Sequence, residues 1–233
     1  MGRASHFCWL TFKSRLPFGA PPCTTYAPCL SVSYSLNALP VEFHLTTAPL
    51  TPNGLAGFEA LCQRVGGKAL LIELARGQHC QQPMLSLVKT DIAPATALVE
   101  ARKLAEQFGD GGYSVLRLKL EVPAWGAAWA RLAQLATGGT YYEWHGRVWY
   151  EREAELRAWC EQHAVHLSSN ALRHRPDTRF VTLREFGPVA QFAARVAAVQ
   201  DGLAANGWNV AKQQAEFCFF DSQISLDAGW LTT

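Results

Sequence analysis

Histidines, hydroxyls and arginines recur along this chain at alternate positions, a combination that can grip a phosphate and move protons around it. His44-Leu45-Thr46 and His166-Leu167-Ser168 each set an imidazole and a hydroxyl two residues apart. On an extended chain such residues share one face. Imidazole takes and gives protons near neutral pH. Arg147 and Arg184 fall in similar alternating stretches, and guanidinium binds phosphate oxygens as a two-pronged fork. A second constellation repeats in sequence: Glu42-Phe43-His44 and Glu143-Trp144-His145. Two carboxylates and two imidazoles form a mixed oxygen and nitrogen donor set suited to iron, manganese, zinc or nickel. A third pattern alternates charge: Arg117, Lys119 and Glu121, then Glu143, His145 and Arg147.

The elements that must position these residues follow from periodicity. Val41 to Thr47 alternates apolar and polar residues, the pattern of a strand with one buried face. Pro52-Asn53-Gly54 leads into a helix over 55–64, stopped by Gly66-Gly67. Residues 68–75 are expected as a second strand and 78–91 as a long polar loop. A helix over 94–108 and a strand over 113–122 complete the first half, and 125–135 is expected to be helical. The order then restarts: strand 140–150, helix 151–163 with an acidic first turn, short strand 164–169, turn 173–177, strand 179–186, helix 188–205 and strand 210–220. Asp221 to Trp230 is expected as a packed C-terminal tail, with capping of the site as the alternative.

This order predicts an α+β fold of two ferredoxin-like, split βαβ halves, residues 39–122 and 139–221. Each half would carry a largely antiparallel sheet, helices on one face and a polar cleft on the other. Residues 39–233 are expected to form one duplicated domain. Residues 1–38 stand apart: no Asp or Glu occurs before Glu42, while Arg3, Lys13 and Arg15 are present among many Ser, Thr and Pro. That start is expected to be a disordered or targeting-like extension.

Composition narrows the classes. Of 233 residues 49% are hydrophobic and 17% charged, and the net charge is +2. A balance so near zero gives no global argument for a nucleic-acid or membrane partner. No apolar run reaches the length of a membrane span. Seven scattered cysteines without a CxxC pair suit free thiols in a reducing compartment. The expected location is the cytoplasm, or an organelle if the extension is a transit peptide. No P-loop, GxSxG, HExxH or GxGxxG motif is present, and no cofactor is expected.

The paired His-x-Thr/Ser motifs resemble those of the two-histidine phosphoesterases, the superfamily of RNA cyclic phosphodiesterases and 2′-5′ RNA ligases. The resemblance implies His44 and His166 as general acid and base, Thr46 and Ser168 as phosphate ligands, and no metal. Glu143, His145, Arg147 and Arg184 would line the same site. The ligand would be a small phosphorylated molecule or an RNA end. The Glu-x-His pairs, Glu42 with His44 and Glu143 with His145, instead resemble the metal cup of vicinal-oxygen-chelate enzymes. The inward alternation of charge resembles the triphosphate-tunnel enzymes, although His44 and Thr46 replace two members of that family's opening Glu-x-Glu-x-Lys. A non-enzymatic anion-binding or scaffold protein is the remaining reading.

Overall fold

The computed structural model describes residues 40–51, 53–124, 132–133, 138–149, 151–172 and 177–230. The expected extension over 1–38, most of the helix over 125–135 and most of the turn at 173–177 lie outside the described residues. Among the described residues eight strands and four helices follow in the order β1 (Val41–Thr47), α1 (Leu55–Arg64), β2 (Lys68–Leu74), β3 (Gln81–Lys89), α2 (Pro94–Asp110), β4 (Val115–Pro123), β5 (Tyr141–Trp149), α3 (Glu153–Gln162), β6 (His166–Asn170), β7 (Thr178–Glu185), α4 (Val189–Ala205) and β8 (Val210–Asp221). A short 3-10 turn, Ile224–Asp227, follows.

Local chemistry sets several boundaries. Pro94 opens α2, where its fixed φ fits and its missing N–H costs nothing. Gly66 at φ 80° lets the chain leave α1 and turn straight into β2, a backbone state that side-chain-bearing residues resist. Glu153 and Glu155 sit in the first turn of α3, where the helix dipole favours negative charge.

The strands form one closed, wholly antiparallel barrel in the order β1-β3-β2-β6-β7-β5-β8-β4, with β4 returning to β1. This corrects the expectation of two duplicated ferredoxin-like halves flanking an open cleft. Such halves would each leave two sheet edges unpaired. Here β2 pairs with β6 and β4 with β8, so all four edges are consumed and no separate halves remain. The expected cleft is the barrel's interior. A second correction concerns residues 78–91, which hold β3 rather than a long loop. Its alternation is hidden because Met84 and Val88 fall on the inner face and Pro83 and Lys89 on the outer one.

Register gives each strand an inner and an outer side. Outer residues such as Phe43, Leu45, Leu85, Leu120, Trp144, Val181 and Leu183 are buried together with Phe58, Phe108, Leu156, Phe192 and Leu203 of the helices. The apolar core therefore lies between barrel and helices, and each fully buried large side chain contributes about 2 kcal/mol. Gly146 makes room for this packing: a Cβ there would lie 2.2 Å from the Trp144 indole. That indole donates to Gln213 Oε1 at 3.0 Å. The polar side chains are turned inward, the opposite of a solvated sheet.

Candidate functional site

Inner positions follow from the ladder. β1 supplies Glu42, His44 and Thr46, which oppose Glu121, Lys119 and Arg117 of β4. β5 supplies Tyr141, Glu143, His145 and Arg147; Glu143 opposes Arg184 and His145 opposes Thr182 of β7. β8 adds Gln214 and Glu216, which oppose His145 and Glu143. β6 adds His166 and Ser168. The barrel thus brings all eight sequence-predicted residues, His44, His166, Thr46, Ser168, Glu143, His145, Arg147 and Arg184, onto one inner surface.

One end of this interior is closed by the C-terminal tail. Asp227 Oδ2 accepts from Arg117 Nη1 at 2.9 Å and from Arg184 Nη2 at 2.7 Å, and its Oδ1 accepts from Gln82. Arg117 Nε also donates to Asp221 Oδ1 at 2.9 Å, and the Tyr141 hydroxyl donates to Asp221. Arg184 lies 4.2 Å from the Tyr141 ring centroid, a cation–π contact. Trp230 packs its edge on His166 and donates its indole N–H to the Leu167 carbonyl at 3.0 Å. The tail expected to pack does so, and it plugs the barrel as it does.

The waist is rich in carboxylates. His44 Nε2 lies 3.0 Å from Glu121 and 3.5 Å from Glu42. Lys119 pairs with Glu121 at 2.7 Å and also with Glu143. Arg184 holds Glu143 from the other side at 2.7 Å. His145 Nε2 faces Glu143 at 3.4 Å and Glu216 at 3.6 Å, and its Nδ1 is 3.0 Å from the Thr182 hydroxyl. Gln214 donates to Glu216 at 2.7 Å. Burial alone would raise every one of these carboxyls. For Glu143 and Glu121 it is outweighed, by Lys119 and Arg184 at Glu143 and by Lys119 and His44 at Glu121, so both are held below the usual range. At Glu216 the opposing charge of Lys119 does not outweigh burial. Burial and the charges of Glu121 and Glu42 hold it well above the usual range, which favours its protonated form.

The opposite end is more open. The exposed side-chain fraction is 29% at His145 and 18% at Glu42, against 2% at Asp227. Lys68 and Lys212 are exposed on inner-side positions, Lys212 opposite Arg147. Among the described residues two buried guanidinium nitrogens have no hydrogen-bond partner: Arg147 Nε and Arg184 Nη1. His44 Nδ1 is likewise buried without a partner.

His44 and His166 share the interior but no partner. In barrel order β1 and β6 are separated by β3 and β2. His166 is buried beneath Trp230 with Arg76 Nη2 3.4 Å from its Nδ1. Burial, with the positive charges of Arg76 and Arg184, pushes it down to about 4. The Glu42, His44, Glu143 and His145 set does not close into a metal cup. Lys119 and Arg184 occupy Glu143, and among the described residues no group of three His, Cys, Asp or Glu side chains is arranged to hold an ion. Glu216 was not foreseen. Its signal is the polar alternation of Gln214 and Glu216 just ahead of buried Phe217 and Cys218. Tyr141, placed inward one register step before Glu143, gave no polar signal of its own.

Among the described residues no helix is long and apolar enough to cross a membrane. Cys62, Cys160 and Cys218 are buried free thiols and Cys80 an exposed one. The chain matches no protein-family model and no curated protein sequence.

Proposed function

We propose that the barrel interior binds a phosphate-bearing small molecule taken up from the Arg147 end. The observation that carries this reading is the pair of buried guanidinium nitrogens without a partner, Arg147 Nε and Arg184 Nη1, in an interior where Arg117, Lys119 and the remaining nitrogens of Arg184 are held by carboxylates. A buried donor left unmade costs about 1–3 kcal/mol, and phosphate oxygens supply the geometry that guanidinium matches best. Glu216, whose burial favours the protonated form, opposes Glu143 in the ladder, and His145 lies beside it.

Of the three resemblances, the one to triphosphate-tunnel enzymes gains most support from a closed barrel of inward charges. Its ligand class is a linear polyphosphate, free or as the tail of a nucleotide. A divalent cation accompanying such a ligand would be met by Glu42, Glu121 and Glu216, but these carboxyls are not arranged as a ligand set, and no step is derived through a metal. The test is calorimetric titration with inorganic tripolyphosphate. The protein binds it, and Arg147→Gln weakens binding about tenfold or more, the scale of one charge-assisted hydrogen bond. No binding at millimolar ligand, or equal binding by the variant, refutes the reading.

A further inference from the structure

The barrel interior has an apolar wall as well as a charged one. Directly opposed residues of a ladder share one face of the sheet. Leu70 of β2 opposes Met84 of β3, which opposes inward Thr46. Ile72 opposes Gln82, whose side chain reaches Asp227 inside the barrel. Phe180 of β7 lies between Arg147 and Ser168, opposing both. Leu70, Met84 and Phe180 are half-buried. Among the described residues none of the three joins the apolar core packed between barrel and helices. In barrel order β2 and β3 stand across from β8 and β5, which carry Gln214, Glu216, Glu143 and Arg147. At the open mouth Trp149, two residues beyond Arg147 and opposite Thr178, is 47% exposed. Arg147, with its unpartnered Nε, therefore has one aromatic neighbour across the ladder and another along its own strand.

The tail shows what such a combination holds at the closed end. Asp227 sets a carboxylate on Arg117 and Arg184. Trp230, three residues on, sets its indole against Leu74, Ile72 and His166. The closed half is thus filled by an anion tethered to an apolar ring. We propose that the ligand of the open half has the same character: an organic phosphate whose phosphate is joined directly to an apolar aryl or alkyl group. This rests on the interior being a phosphate site and names what the phosphate is attached to. The phosphate takes the free Nε of Arg147, and the apolar group lies on Phe180, towards Leu70 and Met84. Covering those side chains rewards an apolar group in proportion to the area taken out of water. A nucleotide would set ribose hydroxyls against the same wall, where they lose water without gaining partners. Inorganic polyphosphate would leave the wall wet.

The experiment is calorimetric titration of the full chain with naphthyl phosphate, methyl phosphate and uridine monophosphate. The first two carry the same phosphate, so the ratio of their affinities reads the apolar group alone. Naphthyl phosphate binds about tenfold or more tightly than either of the others. Phe180→Ala and Met84→Gln, made separately and checked for folding by circular dichroism, each lower the naphthyl-to-methyl ratio about threefold or more. The ratio in the unaltered protein needs no variant, so a failure to fold does not spare the proposal. A ratio near one there overturns it, and so does a ratio unchanged in both variants. Uridine monophosphate binding as tightly as naphthyl phosphate also overturns it. If methyl phosphate and tripolyphosphate bind and the naphthyl group adds nothing, the apolar assignment falls and the phosphate site stands. Naphthol binding as tightly as its phosphate overturns the proposal from the other side: the apolar wall stands and the phosphate reading falls.

Discussion

Glu143 and Glu216 face each other across one β5–β8 register pair, yet the same substitution should affect them in opposite ways. Glu143 accepts from Lys119 and Arg184 and faces His145. Glu143→Gln removes the charge that neutralises two buried cations, and stranding a buried ion-pair partner costs about 3–5 kcal/mol. At about 2–4 °C per kcal/mol for a chain of this size, the melting temperature should fall by roughly 6–20 °C. Burial, Glu121 and Glu42 disfavour the charge of Glu216 and so favour its protonated form in the fold. Glu216→Gln replaces a neutral donor and acceptor with another and should cost nothing at neutral pH. The sign of its pH dependence is fixed. A folded pKa above the ordinary 4.5 means that the folded form holds a proton the unfolded form has released. The native protein therefore loses stability relative to Glu216→Gln as pH rises from about 4.5. Urea unfolding of both variants at pH 5, 7 and 9 reads this directly. Equal losses in the two variants, or a Glu216→Gln deficit that grows with pH, would refute the account of the waist.

His166 supplies an acid limb. Its folded pKa of about 4 lies below the ordinary 6.5, so the unfolded chain binds a proton first and stability falls as pH drops from 6.5 towards 4. The loss is up to about 3 kcal/mol, and His166→Gln should flatten it, as urea midpoints at pH 7 and 5 will report; an unchanged slope would count against the buried neutral imidazole. Trp230→Ala removes the indole that packs on His166 and Leu74 and should cost about 3–5 kcal/mol, read as a drop in urea midpoint; a change under 1 kcal/mol would show that the tail does not help to hold the barrel end closed.

Much of the secondary structure was legible because outer positions are apolar and inner ones polar, so period two survives in β1, β4 and β5. It failed at β3, where Met84 and Val88 put apolar residues inside. Barrel closure was not legible, because the β2–β6 and β4–β8 pairings join residues about a hundred positions apart and local pattern carries no information on such contacts. The inward face was found as a polar face, since alternation reports sidedness whichever way the sheet curves. Which partners would meet was not. Lys119 reaches Glu143 across β8, and Asp227 reaches two arginines from a segment without periodicity. The protonation of Glu216 arises only from that convergence.

Of the two seams that close the barrel, one is short and the other irregular. β2 meets β6 through three residue pairs, Ile72 to Leu74 with Ser168 to Asn170, and a register shift interrupts β4 against β8. These seams join the first four strands to the last four, and β2–β6, with three residue pairs like β6–β7, is among those whose opening breaks the fewest ladder bonds, so its amides exchange with solvent early. An opened molecule presents β2, β4, β6 and β8 as bare edges whose natural complements exist in every other copy. Two such molecules can each close on the other's strands and rebuild both interiors with every ion pair in place. The same shortness that lets one chain seal its own barrel makes a domain-swapped dimer the form to look for at high concentration.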